Sequence, residues 1–123
     1  MHYSVETVEK YRRAWHKHAE ETKGKNESRR QDALQCAKTL ARMLVSRFGV
    51  KKVRLFGSVL NKDRFNKDSD IDIAVEGMGA DNYFSAFAEC QTLDFPVDLI
   101  DVATATQLMK ERIAKGMVLY ELE

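Results

Sequence analysis

The sequence has little of the residues that mark several classes of protein. It contains two cysteines and one proline among 123 residues. Two thiols form neither a disulfide framework nor a zinc-binding set, so we interpret Cys36 and Cys90 as buried, reduced thiols. No apolar run approaches the ~20 residues of a membrane-spanning helix, and the first residues do not resemble a signal peptide. We therefore expect a cytoplasmic location and no membrane partner.

Charge of one sign is not in excess either. Twenty Lys and Arg residues stand against nineteen Asp and Glu residues, which gives a net charge of +1. Nucleic-acid-binding domains usually carry a strong basic excess, so direct nucleic-acid binding is not expected. Tyr11 and Trp15 lie beside Arg12 and Arg13, an arrangement that can stack on RNA. Packing between helices is the interpretation that we prefer for the two aromatic residues.

The first 49 residues have the periodicity of helices. Apolar residues recur every three or four positions in two stretches, separated by a polar segment at residues 22–27 that contains Gly24. Ser28 begins a capping-box pattern at the start of the second stretch, and Gly49 suits its C-terminus. The sequence therefore predicts an N-terminal helical hairpin over residues 1–49 that packs on the rest of the chain.

Residues 50–123 alternate short strands with helices, which is the pattern of a core domain. The predicted strands lie at residues 52–56, 70–76, 95–102 and 117–120. Thr104 with Gln107 matches a capping box ahead of the last helix. We predict an α+β fold with a small mixed sheet, covered by helices on one face and open on the other.

Three acids share the polar side of the predicted strands. Asp70 and Asp72 are two residues apart on one strand, so they lie on the same face with Cα atoms roughly 6.5 Å apart. Such a pair alone is more often a solvated strand face than a metal site. Asp98 lies within a hydrophobic strand and projects to the same side if the two strands are neighbours. Three carboxylates brought together would repel one another unless they held a hard cation such as Mg²⁺.

Gly57 and Ser58 follow the first predicted strand directly. A glycine at this point permits a tight turn, and the backbone N–H groups and the Ser58 hydroxyl can then face an anion. A Gly-Ser dipeptide also marks many ordinary turns, so it is a weak signal by itself. Together with the three acids, it indicates a phosphate-bearing ligand.

The order of these motifs resembles the nucleotidyltransferase fold of DNA polymerase β relatives, and above all the minimal nucleotidyltransferases. The residues that carry the resemblance lie at 55–58, 68–76, 95–100 and 111–120. The resemblance implies a metal-dependent nucleotidyltransferase that uses ATP and two Mg²⁺ ions. It implies catalytic and metal-binding roles for Asp70, Asp72 and Asp98, and nucleotide-binding roles for Gly57, Ser58 and Ser69.

The loop between the Gly-Ser pair and the first acid departs from the family pattern. The family usually has ten residues there, whereas residues 59–69 make eleven. The extra residue changes the part of the loop that usually carries a basic residue and a glycine. Lys62, Arg64 and Lys67 therefore remain open between phosphate ligands and solvated loop charges.

The resemblance also implies a partner. Minimal nucleotidyltransferases are often the antitoxin half of a pair with a HEPN-type toxin, whose tyrosine accepts AMP. One alternative is an antitoxin that acts by binding alone, with a site kept for nucleotide or for structure. Another is nucleotidyl transfer to a small molecule such as an aminoglycoside, which a chain of this length leaves little room to bind.

Overall fold

The computed structural model describes residues 4–123 and has an α+β fold, as predicted. A long first helix is followed by four strands and two further helices. They are α1 (Val5–Phe48), β1 (Lys52–Phe56), β2 (Ile71–Glu76), α2 (Tyr83–Cys90), β3 (Val97–Asp101), α3 (Gln107–Ala114) and β4 (Met117–Glu121). Short 3₁₀ turns at Gly57–Leu60, Ala80–Asn82 and Val102–Thr104 join some of them.

The four strands form one mixed sheet in the order β3-β2-β1-β4. Strand β1 is antiparallel to both β2 and β4, and β2 is parallel to β3. The parallel pair requires a crossover, which α2 supplies. The prediction that β4 is an edge strand is confirmed. Of the two central strands, β1 leads into the Gly-Ser turn and β2 follows Asp70 directly and carries Asp72.

The main core lies between one face of this sheet and helices α1 and α2. Alternate strand residues such as Val53, Leu55, Ile71, Ile73 and Leu99 point into it and are fully buried. Only the second half of α1 takes part, through buried residues from Ala33 to Leu44. Apolar burial of this extent is the main favourable term in the free energy of folding.

The opposite face of the sheet is open at one end only. Helix α3 covers the other end, where Ile113 packs with Phe56 and Ala74 in a second, smaller cluster. The expectation that helices pack on one face alone is therefore wrong for this end of the sheet. The uncovered end carries Asp98, which is exposed to solvent.

The predicted N-terminal hairpin is wrong, because α1 is one continuous helix of 44 residues. It begins at the Ser4 cap, where the side chain accepts a hydrogen bond from the Thr7 N–H, and Ser28 lies in its interior. Glycine in a helix costs only about 1 kcal/mol relative to alanine, and the lysines and glutamate around Gly24 favour helix. One glycine without proline is too weak to end the helix.

The first half of α1 contributes no buried residue to the core. A helix of this length spans about 66 Å at 1.5 Å per residue. Tyr11 is 69% exposed and Trp15 is 75% exposed. The interpretation that these two residues pack between helices is therefore wrong, because the second helix of the hairpin does not exist.

Two smaller predictions concern caps and thiols. Helix α3 is capped by Thr106, whose side chain accepts a hydrogen bond from Met109 N, and not by Thr104. Cys36 and Cys90 are both free thiols, as predicted, but only Cys90 is fully buried, whereas Cys36 is partly exposed. Burial raises the pKa of each thiol. Within residues 4–123, no helix combines the length and the apolarity needed to cross a membrane.

Candidate active site

The acids Asp72 and Asp98 lie side by side on the open end of the sheet. They are direct partners in the register of the parallel strands β2 and β3, which places their Cα atoms about 4.8 Å apart. On its other side, Asp72 is the partner of Phe56 in the antiparallel pair of β1 and β2. The alternation of β2 directs Ile71 and Ile73 into the core and leaves Asp72 on the opposite face, as the sequence predicted.

Asp70 and Ser69 precede the first residue of β2. The start of the strand is fixed by a hydrogen bond from Ile71 N to Pro96 O, 2.9 Å long. Asp70 is exposed at this point, two residues before Asp72. The Ser69 hydroxyl accepts a hydrogen bond from Asn66 N at 3.0 Å, so its present contact belongs to the loop.

The Gly57 turn contacts the same acid. Gly57 has a φ of +82°, in the left-handed region that favours glycine, and opens the turn Gly57–Leu60. A Cβ built on Gly57 would lie 3.1 Å from Asp72 Cγ, tighter than nearly all real contacts of a Cβ atom. The absence of a side chain therefore lets the backbone of the turn approach Asp72 closely. Gly57, Asp72 and Asp98 form one contiguous group.

The environment of Asp72 disfavours a negative charge. Burial, followed by the neighbouring Asp98 carboxylate, raises the pKa of Asp72 to about 6. Arg112 acts in the opposite direction, and Asp70 adds a smaller increase. A carboxylate that is half-buried beside two others is stabilised by a bound cation, so the electrostatics favour a metal ion at this position.

The donor set fits Mg²⁺ by its chemistry, because carboxylate oxygens are the ligands that hard cations prefer. In residues 4–123, however, no three His, Cys, Asp or Glu side chains are gathered closely enough to hold a metal ion as they stand. Asp70 and Asp98 are exposed, so rotation of their side chains towards Asp72 meets little resistance from packing. Asp70, Asp72 and Asp98 are the residues that would hold the ion.

The loop that carries the extra residue turns its first lysine away from the acids. Lys62 lines a surface groove with Trp15 and Lys23 of α1, which packs on the other face of the sheet. A hydrogen bond from Gln31, together with the charges of neighbouring cations that include Lys62, lowers the pKa of Glu27 on the same helix. Lys62 therefore contacts the α1 side of the molecule.

The motifs in the sequence did not identify Arg112 as a site residue. Its positive charge lowers the pKa of Asp72, against the effects of burial and of the neighbouring acids. Arg112 lies on α3, with its guanidinium carbon 5.7 Å from the centre of the Phe56 ring. The only sequence signal was its place in the block at residues 111–120, which the family resemblance includes. Its position depends on how α3 packs over the sheet, which no local pattern specifies.

Solved structures with the same fold were found among toxin–antitoxin complexes. A chain of the MntA-HepT toxin–antitoxin is 21% identical, with a TM-score of 0.55, and covers 72% of each chain. The same values hold for a chain of a tri-AMPylated Shewanella oneidensis HEPN toxin in complex with its MNT antitoxin. A toxin–antitoxin with AMP-PNP is 22% identical with a TM-score of 0.57, and covers 70% of this chain and 74% of that one.

The sequence matches a protein family, although no single curated protein matches it closely enough to count as a relative. The family described as polymerase beta, nucleotidyltransferase matches residues 38–123, which is more than half of the chain and includes every site residue named above. The resemblance drawn from the motifs is thereby confirmed, and the chain belongs to the polymerase β nucleotidyltransferase family.

Proposed function

We propose that this protein transfers AMP from ATP to a tyrosine hydroxyl of a HEPN-type toxin, in a metal-dependent reaction, and so acts as an antitoxin. The observation that carries the proposal is the pairing of Asp72 with Asp98 in register, with the Gly57 backbone packed against Asp72. This places two acids and a close-approaching backbone at one point, which is what a metal–triphosphate substrate requires. Family membership supports the same reaction class.

Each residue has a defined part in this proposal. Gly57 leaves room for a phosphate group, and Ser58 supplies a hydroxyl and a backbone N–H to it. Asp70 and Asp72 would hold Mg²⁺, and Asp98 would complete the site on the acceptor side. Bound Mg²⁺ would neutralise charge on the triphosphate and on the attacking and leaving oxygens.

The acceptor hydroxyl has to lose its proton as its oxygen attacks the α-phosphorus and pyrophosphate leaves. Asp98 is exposed and lies beside Asp72, so its carboxylate can accept a hydrogen bond from that hydroxyl, orient it and take up its proton as the bond to phosphorus forms. Positioning and neutralisation of charge are sufficient for such a transfer, and no covalent intermediate with the protein is needed.

The proposed partner rests on the likeness of fold. The similar solved chains come from complexes of a toxin with an antitoxin, one of which contains an AMPylated HEPN toxin and another AMP-PNP. We place the reaction in the cytoplasm. The free thiols of Cys36 and Cys90 agree with a compartment that keeps thiols reduced.

A second candidate function is neutralisation of the toxin by binding alone. Two observations favour it: no three acidic side chains are gathered as a metal site in the described part of the chain, and the loop at residues 59–69 is one residue longer than the family pattern. In this case Asp72 and its neighbours would keep a structural or nucleotide-binding role without transfer.

Transfer of labelled AMP separates the two functions. The protein is purified with its partner and incubated with Mg²⁺ and ATP labelled at the α-phosphate. We expect label on the partner from the wild-type protein and none from Asp70→Asn or Asp72→Asn. Asp81→Asn, which alters an exposed acid in the Ala80–Asn82 turn, is the matched control and should transfer normally. Unlabelled partner that is nevertheless inactivated by wild type and Asp72→Asn alike would establish binding alone.

A further inference from the structure

A nucleotide site built around three carboxylates needs positive charge from the protein as well as from metal. ATP carries its own negative charges, and the acids at this end of the sheet repel them at distances of a few ångströms. The loop at residues 59–69 does not bring Lys62 to the site, because that side chain lies against α1. The cation that acts on Asp72 is Arg112, whose charge lowers the pKa of that carboxyl.

Arg112 is held at this place by packing on Phe56. Its guanidinium lies over the Phe56 ring at 5.7 Å, within the range of a cation–π interaction. Phe56 is buried between the sheet and α3, and it is the register partner of Asp72. The charged group therefore lies over the strand next to the one that carries Asp72. The electrostatic effect of Arg112 on Asp72 agrees with this placement.

The hydrogen-bonding groups of Arg112 are not used by another acid. Among residues 4–123, its side chain takes part in none of the salt bridges, which join other pairs. The Arg112 side chain is exposed, and a guanidinium offers several N–H donors that match the oxygens of a phosphate. An exposed arginine without an acidic partner among the described residues can bind an anion from outside the chain.

We infer that Arg112 binds the phosphate groups of the triphosphate, in place of the basic residue that the lengthened loop directs elsewhere. This inference rests on the proposed function, since it names a residue of the same site. In this inference Arg112 contacts the phosphates, and other residues contact the adenosine. The contribution of Arg112 to ligand affinity should therefore depend on the number of phosphates in the ligand.

The test compares the affinities of ATP and AMP in the presence of Mg²⁺, measured by calorimetry on the full chain. Arg112→Gln should weaken ATP binding about tenfold, because one charge-assisted contact is lost. Binding of AMP should change by less than about twofold. Arg112→Lys should lie between the wild type and Arg112→Gln, since it keeps the charge but not the planar fork.

Lys110→Gln is the matched control, because it removes the same charge from an exposed position on the same helix. It should leave both affinities unchanged, and thermal melting should show that all variants fold. Unchanged ATP binding in Arg112→Gln, or equal losses for ATP and AMP, would overturn the inference. If Asp72→Asn abolishes transfer while Arg112→Gln behaves as wild type, the proposed function stands without it. If the wild type neither binds ATP nor transfers AMP, both fail together.

Discussion

The backbone of Gly57 packs directly against the carboxylate of Asp72. A Cβ atom on Gly57 would lie 3.1 Å from Asp72 Cγ and closer still to one carboxylate oxygen. The φ of +82° at Gly57 separately disfavours any other residue. Two independent constraints, space and backbone conformation, therefore require glycine where the first strand turns toward the acids.

Gly57→Ala should damage the site as well as the fold. The alanine is strained at this φ, and its Cβ has to displace the Asp72 carboxylate. We expect a loss of about 2 to 4 kcal/mol in the free energy of unfolding, measured by urea denaturation. Binding of Mg²⁺ and ATP should be lost even where the variant is still folded.

Gly79→Ala separates the strain from the clash. Gly79 has nearly the same φ, +85°, but a Cβ there would meet only the side chain of Asn82, at 3.9 Å. This variant should lose about 1 to 2 kcal/mol and keep its affinity for ATP. Equal effects of the two substitutions on ATP binding would show that contact with Asp72 is not what Gly57 provides.

The strands and the face that carries the acids were predictable from local pattern. The alternation around Asp72 has a period of two, and a shift of one residue would have buried the acids and exposed the isoleucines. The same reasoning placed Asp98. Register added what the pattern lacked, namely that these two acids are direct neighbours in a parallel pair.

The long helix and Arg112 were not predictable in the same way. A polar segment with one glycine reads equally well as a loop or as an exposed helix, and the continuity of α1 decides between them. The apolar residues before Gly24 have a helical period, but this period does not show whether they are buried, and in the structure they are exposed. Arg112 lies near Asp72 because α3 folds back over the sheet, which is a tertiary contact.

Asp72 should make the metal-free protein less stable as the pH rises. Its pKa is about 6 in the folded protein against 3.8 for an ordinary aspartate, so the folded state binds the proton more tightly. This contribution is fully present below pH 3.8 and is lost as the pH rises through 6. Asp72 is partly exposed, so the loss should amount to about 1 to 2 kcal/mol.

Asp72→Asn removes this dependence. In buffer with a chelator, the variant should be more stable than wild type by about 1 to 2 kcal/mol at pH 7.5 and nearly equal near pH 4, by urea denaturation. Asp81→Asn, at an exposed turn, should change the free energy of unfolding by less than about 0.5 kcal/mol at both pH values. If the wild type is more stable than Asp72→Asn at pH 7.5, the pKa of Asp72 is not raised in the folded protein.

Substitution by alanine should favour the helix at Gly24 and destabilise the protein at Gly49. Gly24 lies within α1 with no atom within 4 Å of the added Cβ, so Gly24→Ala should raise helicity, measured by circular dichroism at 222 nm. Gly49 ends the helix with a φ of +63°, so Gly49→Ala should lower the free energy of unfolding by about 1 kcal/mol. A fall in helicity for Gly24→Ala would support a helical hairpin over residues 1–49 and contradict the continuous helix.

The cap of α3 links the stability of that helix to the site. Thr106 accepts a hydrogen bond from Met109 N at 3.2 Å, whereas the hydroxyl of Thr104 donates to the Asp101 carbonyl outside the helix. Thr106→Ala should lower the free energy of unfolding by about 1 kcal/mol, and Thr104→Ala by less than about 0.5 kcal/mol. Because α3 carries Arg112, loosening its first turn should also weaken ATP binding, by about two- to threefold in Thr106→Ala alone. If the two alanine variants bind ATP equally, the order of α3 does not limit the position of Arg112.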